Sequence, residues 1–213
     1  MRLLDAAPNN RWRAFYSLAY TAGLRLGEML ALQWGDIDFE KATVHINNRN
    51  GTDRTPPFEI KDSDCRTIPL PVHTIDILVK WQSEAPEGVP YVVLTKERYK
   101  IVLTKWHKLR KEKKPWRNRL MANNSLRDFK QHLKRANIKP DGKLSIHTIR
   151  KSAGQNWSET LSMNVVKELM GHSSIATTAE FYNQVDKQHR IQAANSIQNM
   201  LEKAEKDSET VKG

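Results

Sequence analysis

Three short stretches of the chain hold polar side chains whose types and spacing could do chemistry. The first is Thr21-Ala22-Gly23-Leu24-Arg25, continuing to Glu28. Arg25 and Glu28 stand three residues apart, a spacing at which a carboxylate on a helix can steer a guanidinium. The second is Ser145-Ile146-His147-Thr148-Ile149-Arg150, where His147 and Arg150 share a helical face by the same spacing. The third runs from Leu169-Met170-Gly171-His172 to Phe181-Tyr182. Gly171 can close one helix in a left-handed cap and leave His172 at the corner before the next. A guanidinium offers an oxyanion two parallel N–H donors, an imidazole can carry a proton near neutral pH, and a phenol becomes a nucleophile once activated. Each stretch alone also has an ordinary reading: a surface ion pair, a histidine satisfied by its neighbours, a tyrosine that only packs.

Taken together and in this order, the stretches resemble the tyrosine recombinase (phage integrase) family. The family pattern is an arginine in a T-G-L-R-x-x-E segment, a lysine in a β-hairpin, H-x-x-R, then L-G-H and a late tyrosine. Arg25 and Glu28 fall on the first motif. Lys61, just before the turn leading into Arg66-Thr67-Ile68-Pro69-Leu70, falls on the hairpin lysine. His147 and Arg150 match H-x-x-R, and His172 matches the histidine after L-G, here Leu169-Met170-Gly171. Tyr182 takes the place of the tyrosine, one residue later than in many members, where this chain has Phe181. The resemblance runs from about Arg11 to Asp186.

It implies a site-specific recombinase or integrase catalytic domain that cuts and rejoins DNA through a 3′-phosphotyrosine on Tyr182. Arg25 and Arg150 would bind the non-bridging oxygens as charge develops on them, with His172 as a further donor. His147 is then a base or proton relay, Lys61 protonates the departing 5′-oxygen, and Glu28 orients Arg25 without touching DNA. No metal ion and no other cofactor is implied, since fixed guanidiniums take the cation's place. The implied partner is double-stranded DNA, bound by a chain that is monomeric when free and tetrameric on DNA, with accessory directionality factors. Two alternatives stay open: DNA relaxation of the type IB topoisomerase kind, and a non-catalytic DNA-binding module of the same fold.

The elements that must position these residues point to a mainly α fold with a small antiparallel β-hairpin or sheet, an α+β arrangement. Apolar residues at three- and four-residue steps predict a helical region over Arg11 to Gln33, interrupted near Gly23. Alternation predicts strands over Thr43 to Asn47, Phe58 to Lys61 and Cys65 to Leu70, with a turn-rich loop from Gly51 to Pro57. Helices follow over Val72 to Ser83, Ser125 to Asn137 and from Ser145 onward. A polar helix over Lys187 to Lys206 carries the stripe Ile191, Ala194, Ile197, Leu201, which could dock in its own subunit or a neighbour. The expected division is a catalytic domain over 1–186 and a C-terminal helix or tail over 187–213, possibly exchanged between subunits. The T-G-L-R segment begins so early that an N-terminal core-binding domain is expected to be absent.

Charge agrees with a polyanionic partner. The 213 residues carry 35 Lys and Arg against 24 Asp and Glu, a formal charge of +11, and nucleic acid is the commonest such partner for a basic chain. Lys105, Lys108, Arg110 and Lys111, with Arg127, Lys130 and Lys134 on the next helix, are the expected phosphate contacts; a solvated helix face is the alternative. One cysteine, Cys65, excludes an intrachain disulfide and a cysteine-rich zinc site. No apolar run approaches a membrane span and no long apolar stretch opens the chain, so a cytoplasmic protein is expected, without membrane partners.

Overall fold

The computed structural model describes residues 2–60, 65–121, 125–139 and 144–182. Lys61 and the expected helix over Lys187 to Lys206 lie outside the described residues.

After a short helix, α1 (Arg2–Asp5), Asn9 starts α2 (Asn10–Thr21) by accepting the Trp12 N–H on its side chain at 3.0 Å. Trp12, Phe15, Tyr16, Leu18 and Ala19 of α2 are buried, and the helix packs against α4 (Val72–Glu84) and α7 (Ile146–Ser158). It is the spine of the main core. The break near Gly23 is complete: α2 stops, Gly23 takes a left-handed conformation, and α3 (Leu26–Ala31) starts anew. This corrects the expected geometry of Arg25, which caps α3 in extended backbone and does not sit inside a helix.

The sheet has three antiparallel strands in the order β1 (Ile37–Asp38), β2 (Thr43–Ile46), β3 (Arg66–Pro69). Val44 faces Ile37 on one side and Ile68 on the other, and all three are buried. On the opposite face His45 and Thr67 hydrogen-bond at 2.8 Å, as the period of two requires. The strand expected over Phe58 to Lys61 is a correction: among the described residues only Phe58 pairs, in a single bridge with Arg49. Pro56 and Pro57 before it bring no N–H to a ladder, and the Ile60 N–H goes to the Asn48 side chain at 2.7 Å. The short β1 supplies the third strand.

Helix α5 (Lys96–Lys111) fastens the loop over 51–57 through Trp106 Nε1, which donates to the Thr52 carbonyl at 2.7 Å, and through an Arg110–Asp53 ion pair. Helix α6 (Ser125–Arg135) turns Phe129, His132 and Leu133 inward, and His132 meets the Tyr16 hydroxyl at 2.6 Å. It stops two residues before the expected end, and Asn137 then takes a positive φ. Helix α8 (Met163–Met170) and a helical segment at residues 175–182 close a second, smaller apolar cluster of Val166, Met170 and Phe181, flanked by Trp157 and Tyr182. Among the described residues no helix is long and apolar enough to cross a membrane.

Candidate active site

The site is built on the C-terminal end of α8. Gly171 takes φ 59° and ψ 50°, the left-handed conformation that glycine adopts without strain. The turn then closes: the His172 N–H donates to Lys167 at 3.0 Å and the Gly171 N–H to Glu168 at 2.9 Å. That leaves the next three carbonyls, of Leu169, Met170 and Gly171, and each is taken by an arginine from elsewhere. Arg66 Nε donates to Leu169 at 3.0 Å, Arg150 Nη2 donates to Met170, and Arg25 Nη2 donates to Gly171 at 2.7 Å. Cations are favoured at a helix C-terminus, where the backbone dipoles end in partial negative charge. The anchoring gathers residues from four parts of the chain at one point.

One carboxylate ties two of these guanidiniums together. Glu28 accepts both terminal nitrogens of Arg66, at 3.1 and 2.7 Å, and the Arg25 Nη1 at 3.1 Å. It also accepts the Arg25 backbone N–H at 2.8 Å, capping α3. Burial acts to raise the Glu28 carboxyl. The Arg66 hydrogen bonds and charge, the Arg25 N–H and the charge of Arg150 outweigh it and hold the group below its ordinary range. The expected Arg25–Glu28 pair is present, but its principal partner is Arg66. Sequence reading gave Arg66 no role, although a charged residue at an inward position of an alternating strand is a signal for one.

Arg150 is 2% exposed and also donates to the Gly23 carbonyl. Burial first, then Arg25 and Arg66, pushes it down to about 9, which leaves it charged at neutral pH. His147, one helical turn before it, is exposed, and its ring is lowered by partial burial and then by Arg150, Lys151 and Arg25. Arg25 and His147 line the same cleft of about 440 Å³, walled by Leu24, Leu26, Leu126, Ser145 and Ile146. His172 sits against Thr178 Oγ1 at 3.0 Å and stacks on Phe181 with ring centroids 6.0 Å apart. Burial and the surrounding cations, Arg150 foremost among them, push it down to about 4. Both rings are thus held below their ordinary range, and among the described residues three arginines surround the one carboxylate of Glu28. Such a cluster is cationic.

Phe181 and Tyr182 part company. Phe181 is buried against Gly154, where a Cβ would stand 2.8 Å from its ring, so close packing requires glycine there. Tyr182 is half-buried, and its hydroxyl donates to the Leu161 carbonyl in the α7–α8 loop. Burial raises its hydroxyl above the ordinary phenol range. Lys105, Lys108, Arg110 and Lys111 are exposed on α5, and Arg127, Lys130 and Lys134 are exposed on α6; Arg110 is paired with Asp53 and Arg127 with Asp128. Among the described residues no histidine, cysteine and carboxylate group is arranged to hold a metal ion.

The sequence model of the phage integrase family matches residues 1–189. The chain belongs to that family. Among its family relatives is a XerC-like tyrosine recombinase of Caldanaerobacter subterraneus, 28% identical over 219 residues that cover 94% of this chain and 52% of the relative. The tyrosine recombinase XerA of Pyrococcus furiosus is 26% identical over 206 residues, covering 94% of this chain and 61% of the relative. The chain therefore spans between about half and three-fifths of the length of these relatives. Its integrase fold is shared with a crystal structure of XerA recombinase at TM-score 0.62 and 17% identity, over 89% of this chain and 60% of that one. A Tn1549 transposon integrase in complex with circular intermediate DNA matches at TM-score 0.60 and 15% identity, over 84% and 57%.

Proposed function

We propose that the chain cuts and rejoins duplex DNA by transesterification, with Tyr182 as the nucleophile. The observation that carries this reading is the clustering of Arg25, Arg66 and Arg150 about Glu28 and the C-terminal carbonyls of α8, with His147 and His172 beside them. A phosphodiester is an anion suited to such a cationic cluster. Arg25, on the wall of the open cleft, donates to the non-bridging oxygens, whose negative charge grows in the transition state, and Arg150 behind it joins by releasing the Gly23 or Met170 carbonyl. His172 adds an N–H. His147 takes the phenol proton, for which a neutral imidazole is the required form.

The Tyr182 oxygen forms its bond to phosphorus as the 5′-oxygen leaves with a proton from Lys61. A 5′-hydroxyl reverses the step, so neither ATP nor a metal ion is needed. Attack requires the Tyr182 hydroxyl to leave the Leu161 carbonyl and enter the arginine cluster. The exposed lysines of α5 and α6 contact flanking phosphates and position the duplex. Residues 1–186 form the catalytic domain and 187–213 a tail that a neighbouring subunit receives in a tetramer on DNA, where directionality factors also act. The setting is the cytoplasm. Covalent trapping on a nicked duplex, with the adduct mapped to its tyrosine, tests this reading.

A further inference from the structure

We propose that Arg66 is a positioning residue for this reaction, holding Arg25 and the Gly171–His172 corner in register through Glu28 and the Leu169 carbonyl. The inference rests on the phosphotyrosine reading above. The Arg66 side chain is 3% exposed and its three nitrogens are spent on protein acceptors, so it acts through other groups and not on the phosphate. Its contacts close a ring. Arg66 grips Glu28, Glu28 holds both the backbone and the side chain of Arg25, Arg25 donates to Gly171, and Leu169, two residues earlier on the same helix end, returns to Arg66. A closed ring fixes the guanidinium of Arg25 far better than the Arg25–Glu28 pair would by itself, because a member that swings breaks two links of the ring.

Arg66 also opens β3, so it ties that strand into the centre of the arginine cluster. A lysine cannot reproduce this, because one ammonium lacks the planar fork that reaches two carboxylate oxygens and a carbonyl at once. Misplacement of a catalytic group by about 1 Å is enough to slow chemistry on the order of 100-fold.

The test uses the full chain and a nicked duplex selected from a randomised pool by covalent capture. Single-turnover adduct formation is measured on that duplex and on one whose reacting phosphate is a methylphosphonate, which is neutral and depends less on guanidinium placement. Arg66→Lys is expected to slow the phosphodiester reaction on the order of 100-fold, with duplex affinity within about twofold. On the methylphosphonate the loss shrinks to roughly tenfold or less, because the charge that Arg25 must meet is gone. A purely structural role would reduce both reactions equally, and an equal loss, or none, overturns the proposal. Should Arg66→Lys fail to fold, Glu28→Gln cuts the same ring while keeping its shape. It is expected to show the same substrate-dependent loss, and equal losses overturn the proposal again. If the wild-type chain forms no adduct on any duplex of the pool, the phosphotyrosine reading has failed and this inference falls with it.

Discussion

Arg25 and Gly171 lie 146 residues apart in the chain and are joined by one hydrogen bond of 2.7 Å, from the guanidinium to the carbonyl that precedes His172. That link sets the distance between the first arginine of the site and its last histidine. It depends on Gly171 keeping a left-handed backbone, since the carbonyl direction follows from that conformation.

Gly171→Ala is therefore expected to destabilise the chain by about 1–2 kcal/mol, the cost of a left-handed residue with a Cβ. Adduct formation should fall further than the stability loss explains, because the carbonyl that holds Arg25 turns with the residue. Urea melts and single-turnover adduct rates, taken at the same temperature, check both parts.

Gly154→Ala places a methyl 2.8 Å from the Phe181 ring. Overpacking of this kind costs about 1–3 kcal/mol. Because Phe181 stacks on His172 and precedes Tyr182, the damage reaches the site. The pair Gly154→Ala with Phe181→Leu should recover much of the melting temperature. No recovery would show that the ring is not what the methyl meets.

Much of this was legible in the sequence. The helix that apolar spacing puts over Val72 to Ser83 runs over Val72–Glu84, the strand that alternation puts over Thr43 to Asn47 runs over Thr43–Ile46, and the left-handed cap at Gly171 follows from a glycine placed between two helical patterns. What was not legible depended on tertiary contacts. Arg66 meets Glu28 across 38 residues, a pairing no local periodicity encodes. The strand expected over Phe58 to Lys61 does not extend past the Phe58 bridge as far as Ile60, because the Asn48 side chain intercepts the Ile60 N–H, a competition visible only once the two segments are adjacent. Arg25 read as helical because its three-residue spacing to Glu28 is shared by a helix turn and a cap.

Acid should weaken the free protein in a defined window. His172 titrates at about 4 when folded against 6.5 for the ordinary imidazole, so between these values the unfolded chain binds more protons. Its contribution is complete above about pH 6.5 and is lost as pH falls towards 4. His147, also lowered, acts in the same direction, and Glu28 adds its own loss at still lower pH. His172→Gln should flatten the stability profile between pH 4 and 6.5 while leaving the steeper fall below it. Identical slopes in the two proteins would contradict the burial of His172 among the arginines.

DNA affinity should depend steeply on salt. Each phosphate-contacting lysine removed should reduce the slope of log K against log salt by roughly 0.9. Lys105→Gln, Lys108→Gln and Lys130→Gln are the substitutions to measure. Arg110→Gln should change the slope less, because Arg110 is already paired with Asp53. Unchanged slopes for all three lysines would place the duplex on another face.

The central claim is that Tyr182 becomes joined to DNA. The measurement is incubation of the chain with the nicked duplex pool in EDTA, followed by denaturing electrophoresis and mass mapping of the joined peptide. A covalent adduct at Tyr182 in the wild-type chain, and none in Tyr182→Phe, is the predicted result. An adduct that persists in Tyr182→Phe, or one mapped to another residue, would contradict it.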